Sequence, residues 1–303
     1  MNTFNLPKKV YFKRGCTPVA LRELSEIYHC KKALLISDTN LFLSGTVSGI
    51  SKQLQKQGIR TANFFSLNGV PAFADISNAL SQAQAFQPDV IIGIGGGNPL
   101  GAAKALFLMA NNPEYDFNNS DGIVQDVRAD TGTKLMLIAT TFGSGAQTSP
   151  LAILRNDKEK LCLVHSDFLI PEISVTDSDF TKSLTAKQVK TGGLTVLALS
   201  LRTYKAENSS AYMQSVLEEA IRIVLKHLPA AIAGCPIARE HLHNAGALAG
   251  TAYGNISHIS HFQSPLYPSA EEKKTTNPRL ETLAHNLGLD STQSLILAWE
   301  KLT

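Results

Sequence analysis

The order of apolar and polar residues in the first half of the chain predicts strands that alternate with amphipathic helices. Short apolar runs predict strands at Ala33–Ser37, Thr61–Phe65, Val90–Ile94, Leu135–Ala139 and Ile173–Asp177. Apolar residues three or four positions apart predict helices at Leu41–Gly58 and Asp75–Phe86. This alternation indicates an α/β fold, with a mostly parallel, Rossmann-like sheet covered by helices on both faces.

The second half of the chain changes to a helical pattern. We predict helices at Ala186–Tyr204, Ser210–His227, Ile237–Tyr253, Pro278–Leu287 and Ser291–Leu302, with Pro229 and Pro236 marking a break. The polar stretches Asn112–Thr133 and Ser257–Asn277 read as irregular surface segments. We therefore predict an α/β domain over residues 1–178 and a helical domain over residues 179–303.

Two glycine-rich turns follow predicted strands. The first joins Gly95, Gly96 and Gly97 to Asn98, and the second contains Thr140, Thr141 and Ser144. A helix N-terminus that follows a glycine turn without side chains offers backbone N–H groups to a pyrophosphate. Such turns lie at the carboxyl ends of parallel strands, so the α/β domain is predicted to be dinucleotide-binding-like. The alternative interpretation of the first turn is a tight strand-to-helix connection with no ligand.

Composition excludes several classes of function. The chain has 303 residues, 44% hydrophobic content and a net charge of +3, and its basic residues do not cluster. We therefore expect no nucleic-acid partner. The chain has no signal-like leader and no apolar run long enough to span a bilayer, and its four cysteines form no Cys-x-x-Cys pair. These features predict a cytoplasmic protein without a membrane partner.

Several motifs, in order, resemble those of one enzyme family. The run Gly95-Gly-Gly-Asn-Pro-Leu-Gly-Ala-Ala-Lys104 resembles the Gly-Gly-Gly-Ser-x-x-Asp-x-Ala-Lys motif of the iron-containing (group III) alcohol dehydrogenases. The run Thr140-Thr-Phe-Gly-Ser-Gly-Ala-Gln-Thr-Ser-Pro150 resembles their second glycine motif. The segments Leu6–Gly15 and Ala238–Gly250 look most like the alcohol dehydrogenase half of bifunctional acetaldehyde/alcohol dehydrogenases.

The resemblance implies hydride exchange between an alcohol or aldehyde and a nicotinamide dinucleotide, assisted by a divalent metal. The family holds that metal with an Asp-x-x-x-His pair on one helix and two further histidines. The matching positions here are Thr195 and Leu199, and the later histidine pair is His258 and His261 at a spacing of three. Since leucine cannot ligate a metal and threonine is a poor ligand, we expect no metal. His258 and His261 remain weak catalytic candidates, more readily interpreted as leftover polar residues on a loop.

The resemblance also suggests cofactor contacts. Asp38 closes a strand where the family uses an acid to hold the adenosine ribose, which favours NAD(H) over NADP(H). The same side chain would also suit a helix N-cap. Lys160 approximates a family lysine near the cofactor, whereas Gly101 and Phe142 depart from the family pattern. Lys104 is expected either to solvate its helix face or to support the loop.

Two hypotheses remain from the sequence. The first is a degenerate family member, a nucleotide-binding or partner-binding pseudoenzyme that lacks the metal site. The alternative is a residual NAD(H)-dependent alcohol/aldehyde oxidoreductase. The resemblance also implies that the helical domain is shortened relative to that of the family. A shortened domain would expose apolar surface, so we also expect a homo-dimer or a hetero-assembly with a related protein.

Overall fold

The structure is a computed structural model that describes residues 3–67, 69–112, 115, 132–256 and 277–302. The chain divides into two compact units. The first, called here the α/β unit, comprises Leu6–Thr140 and Ala146–Asp177 within the described ranges. The second, the helical unit, comprises the described parts of Met1–Asn5, Thr141–Gly145 and Ser178–Thr303.

The α/β unit is built on a six-stranded parallel sheet. Its strands, numbered in chain order with the hairpin strands included, are β1 (Lys9–Tyr11), β2 (Lys32–Ile36), β3 (Arg60–Phe64), β4 (Val90–Gly95), β5 (Lys134–Ala139), β6 (Leu151–Arg155), β7 (Leu161–His165) and β8 (Ile173–Thr176). The order across the sheet is β1-β8-β5-β4-β2-β3, and every neighbouring pair is parallel. Strands β6 and β7 form a separate antiparallel pair. The predicted α/β fold is confirmed.

Helices connect the parallel strands. They are α1 (Thr17–Glu26), α2 (Thr39–Leu43), α3 (Thr46–Lys56), α4 (Phe73–Phe86) and α5 (Gly97–Asn111). All six residues of β4 are buried, as expected for a central strand covered on both faces. Gly93 on β4 allows α5 to pack closely against the sheet, because a Cβ atom on this residue would lie only 2.7 Å from the Ala103 Cβ.

Some predicted elements in this unit were wrong or missing. The predicted helix Leu41–Gly58 is two helices, because Gly45 adopts a left-handed conformation (φ +80°) between α2 and α3. The apolar pattern of the sequence also did not predict β1, α1 or the β6–β7 pair. Most of the predicted irregular segments Asn112–Thr133 and Ser257–Asn277 lies outside the described residues.

The helical unit contains α6 (Ala186–Lys205), α7 (Ala211–Ile232), α8 (Pro236–Gly254), α9 (Pro278–Asn286) and α10 (Thr292–Glu300). Its core is formed by fully buried leucine and isoleucine side chains that include Leu197, Leu217, Ile221, Leu228 and Leu242. The predicted break before the third helix is present at residues 233–235, and α8 begins at Pro236, but α7 continues through Pro229 to Ile232 rather than ending at His227. None of the helices described is both long and apolar enough to cross a membrane.

Candidate functional site

The carboxyl edge of the parallel sheet brings three predicted cofactor-binding segments together within the α/β unit. Gly95 ends β4, Thr140 follows β5, and Asp38 follows β2. These three strands are neighbours in the sheet, with β4 in the middle. Because parallel strands end at the same edge, the three segments lie side by side where open α/β sheets bind their ligands.

The first glycine turn has a geometry that only glycine permits. Gly95 has φ +151°, and a Cβ atom on it would lie 2.6 Å from the Pro99 Cγ. Gly96 is the N-cap residue of α5, and because it is a glycine, no side chain at this position caps the first N–H groups of the helix. Gly96 and Gly97 are partly exposed and Asn98 is exposed. The turn therefore presents the N-terminus of a 15-residue helix with accessible backbone donors.

Thr140 and Asp38 are held on either side of this turn. The Thr140 backbone N–H donates to the Gly95 carbonyl oxygen at 2.9 Å, which ties the end of β5 to the end of β4. Asp38 is the N-cap residue of α2, and its Oδ1 accepts a hydrogen bond from the Leu41 N–H at 2.8 Å. The capping role suggested by the sequence is therefore present, while the ribose-binding role stays a prediction.

The second glycine turn is part of the other compact unit. Thr141–Gly145 belongs to the helical unit, so Thr141 and Ser144 are placed in that unit rather than with Thr140. Phe142 is 5% exposed and belongs to the core of the helical unit. A Cβ atom on Gly192 of α6 would lie 2.5 Å from the Phe142 carbonyl oxygen. Phe142, which departs from the family pattern, is therefore part of the helix packing of this unit.

The two positions on α6 that the resemblance aligns with metal ligands carry neither a carboxylate nor an imidazole. Thr195 donates its hydroxyl hydrogen to the Thr191 carbonyl oxygen at 2.8 Å, one helical turn earlier. Leu199 is an aliphatic side chain packed against the helical core. No group of three or more His, Cys, Asp or Glu side chains within the described ranges is placed to hold a metal ion. The expectation that no metal binds nevertheless stays a prediction, because His258 and His261 lie outside the described residues.

Lys160 occupies the turn between β6 and β7. Its backbone N–H, together with that of Lys158, donates to the Asn156 Oδ1 at 3.0 Å, and its side chain is exposed. Asn156 therefore shapes this turn as a local asparagine-capped loop. The cofactor role predicted for Lys160 is neither supported nor contradicted by these contacts.

Lys104 is fully buried in the middle of α5. Its Nζ donates hydrogen bonds to the Ser149 and Leu151 carbonyl oxygens, the latter at 2.8 Å, and approaches the Ser149 Oγ at 3.4 Å. Burial lowers the pKa of this ammonium group to about 7. Of the two roles expected from the sequence, solvation of the helix face is wrong, and the observed contacts of Lys104 are to the Ser149–Leu151 segment rather than to the glycine loop.

A signal for the burial of Lys104 was present in the sequence. Every residue of α5 from Pro99 to Met109 is buried, and Lys104 is the charged residue among them. A helix without a polar face is covered on all sides, so a lysine within it has no route to water. This pattern identifies Lys104 as a buried cation more directly than its motif does.

Comparison with known proteins gives a consistent family assignment. A family model described as iron-containing alcohol dehydrogenase matches residues 7–178. The bifunctional aldehyde-alcohol dehydrogenase of Escherichia coli (strain K12) is 29% identical over 262 residues, which cover 82% of this chain and 29% of that protein. The aldehyde-alcohol dehydrogenase of Clostridium acetobutylicum is 28% identical over 264 residues, covering 83% of this chain and 30% of that protein. The match thus spans under a third of the length of these curated relatives.

Solved structures share the fold. A 1,3-propanediol oxidoreductase superposes with a TM-score of 0.86 at 22% identity, covering 100% of this chain and 86% of the other. A sulfoacetaldehyde reductase from Bifidobacterium kashiwanohense, solved in complex with NAD+, gives a TM-score of 0.85 at 17% identity, with 100% and 85% covered. The family model matches more than half of the chain, over the α/β segments that carry the first glycine turn. This chain therefore belongs to the iron-containing alcohol dehydrogenase family.

Proposed function

We propose that this chain binds NAD(H) at the carboxyl edge of its parallel sheet and acts as a nucleotide-binding or partner-binding pseudoenzyme of its family. The observation that carries the proposal is the Gly95–Gly97 turn. This turn leads into the N-terminus of α5, whose first backbone N–H groups lie beside Asp38 and Thr140. A pyrophosphate would accept hydrogen bonds from the first N–H groups of α5 and would be favoured by the positive end of its dipole. Within the α/β unit, Gly95, Gly96, Gly97, Asn98 and Thr140 are the proposed phosphate contacts.

The choice of NAD(H) rests on Asp38. Its Oδ1 caps α2, and a carboxylate at the end of the second strand of a dinucleotide fold suits the ribose hydroxyls. The same negative charge would repel the 2′-phosphate of NADP(H). Support from relatives is mixed, because the name of one relative, from Clostridium saccharobutylicum, is NADPH-dependent butanol dehydrogenase.

The proposed loss of metal-assisted chemistry rests on α6. A hydroxyl that donates to its own helix backbone and an aliphatic side chain supply neither the carboxylate nor the imidazole that a divalent metal needs. Without a Lewis acid, a carbonyl substrate lacks several kcal/mol of transition-state stabilisation, which is orders of magnitude in rate. Thr141, Ser144 and Lys160 remain proposed cofactor contacts that no observed contact favours.

Calorimetric titration of the purified chain with NADH, NAD and NADPH tests the binding. The variant Gly97→Asp places a carboxylate in the first turn of α5, where it competes with phosphate, and should weaken NADH binding at least about tenfold. Gly49→Asp is its matched control, since Gly49 lies near the start of α3 with open space around its Cα. Equal affinities in the two variants, or no NADH binding by the wild type, would refute the proposed site.

The alternative, a residual NAD(H)-dependent alcohol/aldehyde oxidoreductase, is separated by turnover. Aldehyde reduction would be assayed with NADH in the presence of added Fe(II) or Zn(II). Turnover that disappears in a His258→Ala/His261→Ala double variant would establish the enzyme and exclude the pseudoenzyme. The absence of turnover in a chain that binds NADH would support the pseudoenzyme.

The predicted dimer or hetero-assembly is also a proposal. In support, each unit has exposed large apolar side chains, such as Phe12 at 61% in the α/β unit and Tyr212 at 73% in the helical unit. Isolated exposed apolar residues are common in monomers, so the proposal needs a direct measurement. Light scattering at micromolar concentration should give a mass near twice 32.7 kDa, whereas a monodisperse monomer would exclude the homo-dimer.

A further inference from the structure

An unusual ionisable group in the α/β unit is Lys104, which is 0% exposed and makes no ion pair with a carboxylate of the residues that the structure describes. Its hydrogen-bond partners are the Ser149 and Leu151 carbonyl oxygens and the Ser149 hydroxyl. Buried lysines are ordinarily paired with an acid or excluded from the core. The ammonium form of this lysine is therefore held by neutral oxygen atoms and not by an opposite charge.

The same site tolerates the neutral amine. The two carbonyl oxygens accept hydrogen bonds from either form of the side chain. The Ser149 hydroxyl can accept from the ammonium form and can donate to the lone pair of the amine form. Burial brings the pKa of Lys104 to about 7, so both forms are populated near neutral pH.

Lys104 also lies on the helix that begins at the glycine turn. Lys104 lies seven positions after Gly97, a rise of roughly 10 Å along α5. A charge at that distance, separated by buried protein rather than water, is weakly screened. The protonated form therefore adds positive potential where the N-terminus of α5 would receive a phosphate.

The surroundings contain few other charges. The elements packed against α5 or beside its partner segment carry the titratable side chains Asp75 on α4, Lys32 on β2, Lys134 on β5, Arg155 on β6, Cys162 and His165 on β7, and Asp167 after β7. Within the described part of the chain, none of these forms a hydrogen bond or ion pair with Lys104, and burial is the cause of its lowered pKa. His165 is aligned with Leu151 in the β6–β7 pair, and Leu151 is one of the hydrogen-bond partners of Lys104. A His165 variant therefore serves as a control.

We propose that Lys104 is a proton-linked positioning residue of the dinucleotide site, which binds the anionic cofactor more tightly in its ammonium form than in its amine form. This inference rests on the proposed function. Both forms hold the Ser149–Leu151 backbone against α5, and the ammonium form alone adds charge to the positive end of the helix. By linkage, NADH binding favours the ammonium form and takes up protons from solution near neutral pH.

Calorimetry in paired buffers of different ionisation enthalpy tests the linkage. PIPES and imidazole are suitable near neutral pH, since neither supplies a competing phosphate. The wild type should take up a fraction of a proton on binding NADH between pH 7 and 8. Its affinity should fall by about three- to tenfold between pH 6 and pH 9. Lys104→Met should bind NADH without this proton uptake, and His165→Asn should retain it.

A direct titration of the wild type covers the case in which Lys104→Met fails to fold. In protein labelled with ¹³Cε-lysine, one lysine resonance should titrate between pH 6 and 9, and a folded Lys104→Gln variant should lack that resonance. Absence of such a resonance overturns the inference, as does NADH affinity that is independent of pH. A wild type that binds no NADH at any pH overturns the proposed function itself, which separates the two failures.

Discussion

Gly145 and Gly250 lie in direct backbone contact, so close that a Cβ atom on Gly145 would fall 2.3 Å from the Gly250 Cα. The reverse substitution is as crowded, since a Cβ on Gly250 would lie 2.2 Å from the Gly145 carbonyl oxygen. Both residues belong to the helical unit, where the second glycine turn packs against α8. Backbone atoms cannot rotate away as side chains do, so this contact requires glycine on both sides.

Gly250→Ala should therefore destabilise the protein by about 3 kcal/mol, the upper part of the usual range for overpacking. Urea unfolding followed by circular dichroism measures the change. Gly49→Ala is the control, because it is an exposed helical glycine with open space around it. That control should be stabilised by about 0.5–1 kcal/mol through helix propensity. A Gly250→Ala protein as stable as wild type would contradict the backbone contact.

Asp38→Ser should shift cofactor preference without unfolding α2. Serine also caps helices, so it can still accept from the Leu41 N–H while it removes the carboxylate that disfavours a 2′-phosphate. We expect the ratio of NADPH to NADH affinity to rise at least about tenfold, measured by calorimetry. Asp89→Asn is the matched loss of charge at the opposite edge of the sheet, where Asp89 precedes β4. An unchanged ratio in Asp38→Ser would remove Asp38 from the ribose site.

The stability of the protein should depend on the protonation of Lys104. Its pKa is about 7 in the folded chain against 10.5 for an ordinary lysine, so between these pH values the unfolded chain binds more protons. Stability contributed by this group therefore rises with pH above 7, by up to about 1.4 kcal/mol per pH unit. The difference in unfolding free energy between wild type and Lys104→Met should increase from pH 7 to pH 9. A difference that is constant with pH would mean that Lys104 stays charged.

His227 on α7 and His241 on α8 form a second pH-dependent contact. Their rings stack with centroids 4.3 Å apart. Burial, and then the neighbouring His241 and Lys226, lower the pKa of His227. The unfolded chain thus binds more protons below pH 6.5, and stability falls as the pH drops through the folded pKa.

Differential scanning calorimetry between pH 7 and pH 5 measures this effect. The Tm of the wild type should fall more steeply than that of His241→Gln, in which the second imidazole is absent. Parallel Tm curves for the two proteins would show that the stacked pair does not contribute.

Strand and helix periodicity was sufficient to predict most of the fold. The central strands β4 and β5 are continuous apolar runs that bury both faces, and the glycine turn after β4 identifies the edge where a ligand would bind. Gly45 escaped prediction because one glycine inside an amphipathic pattern does not by itself reveal a left-handed φ.

Long-range packing accounts for the other differences. Phe142 and Gly145 sit in a motif that resembles a cofactor loop, yet their neighbours Gly192, Gly246 and Gly250 come from helices distant in sequence. No local pattern reports such a contact. Helix α7 passes through Pro229 for a related reason, since packing against α8 and α6 stabilises a helix that local preference would end.

The pairing of β1 with β8 has a consequence for synthesis of the chain. Lys9 is aligned with Ile173, and the flanking Lys8–Glu172 ion pair joins residues 164 positions apart. A chain emerging from the ribosome with its N-terminus first cannot place β1 until β8 has been made. Until then β5 is a bare sheet edge, open to a strand from a neighbouring nascent chain. Synthesis of β8, the last strand of the sheet in chain order, therefore ends the period in which β5 can pair with another nascent chain.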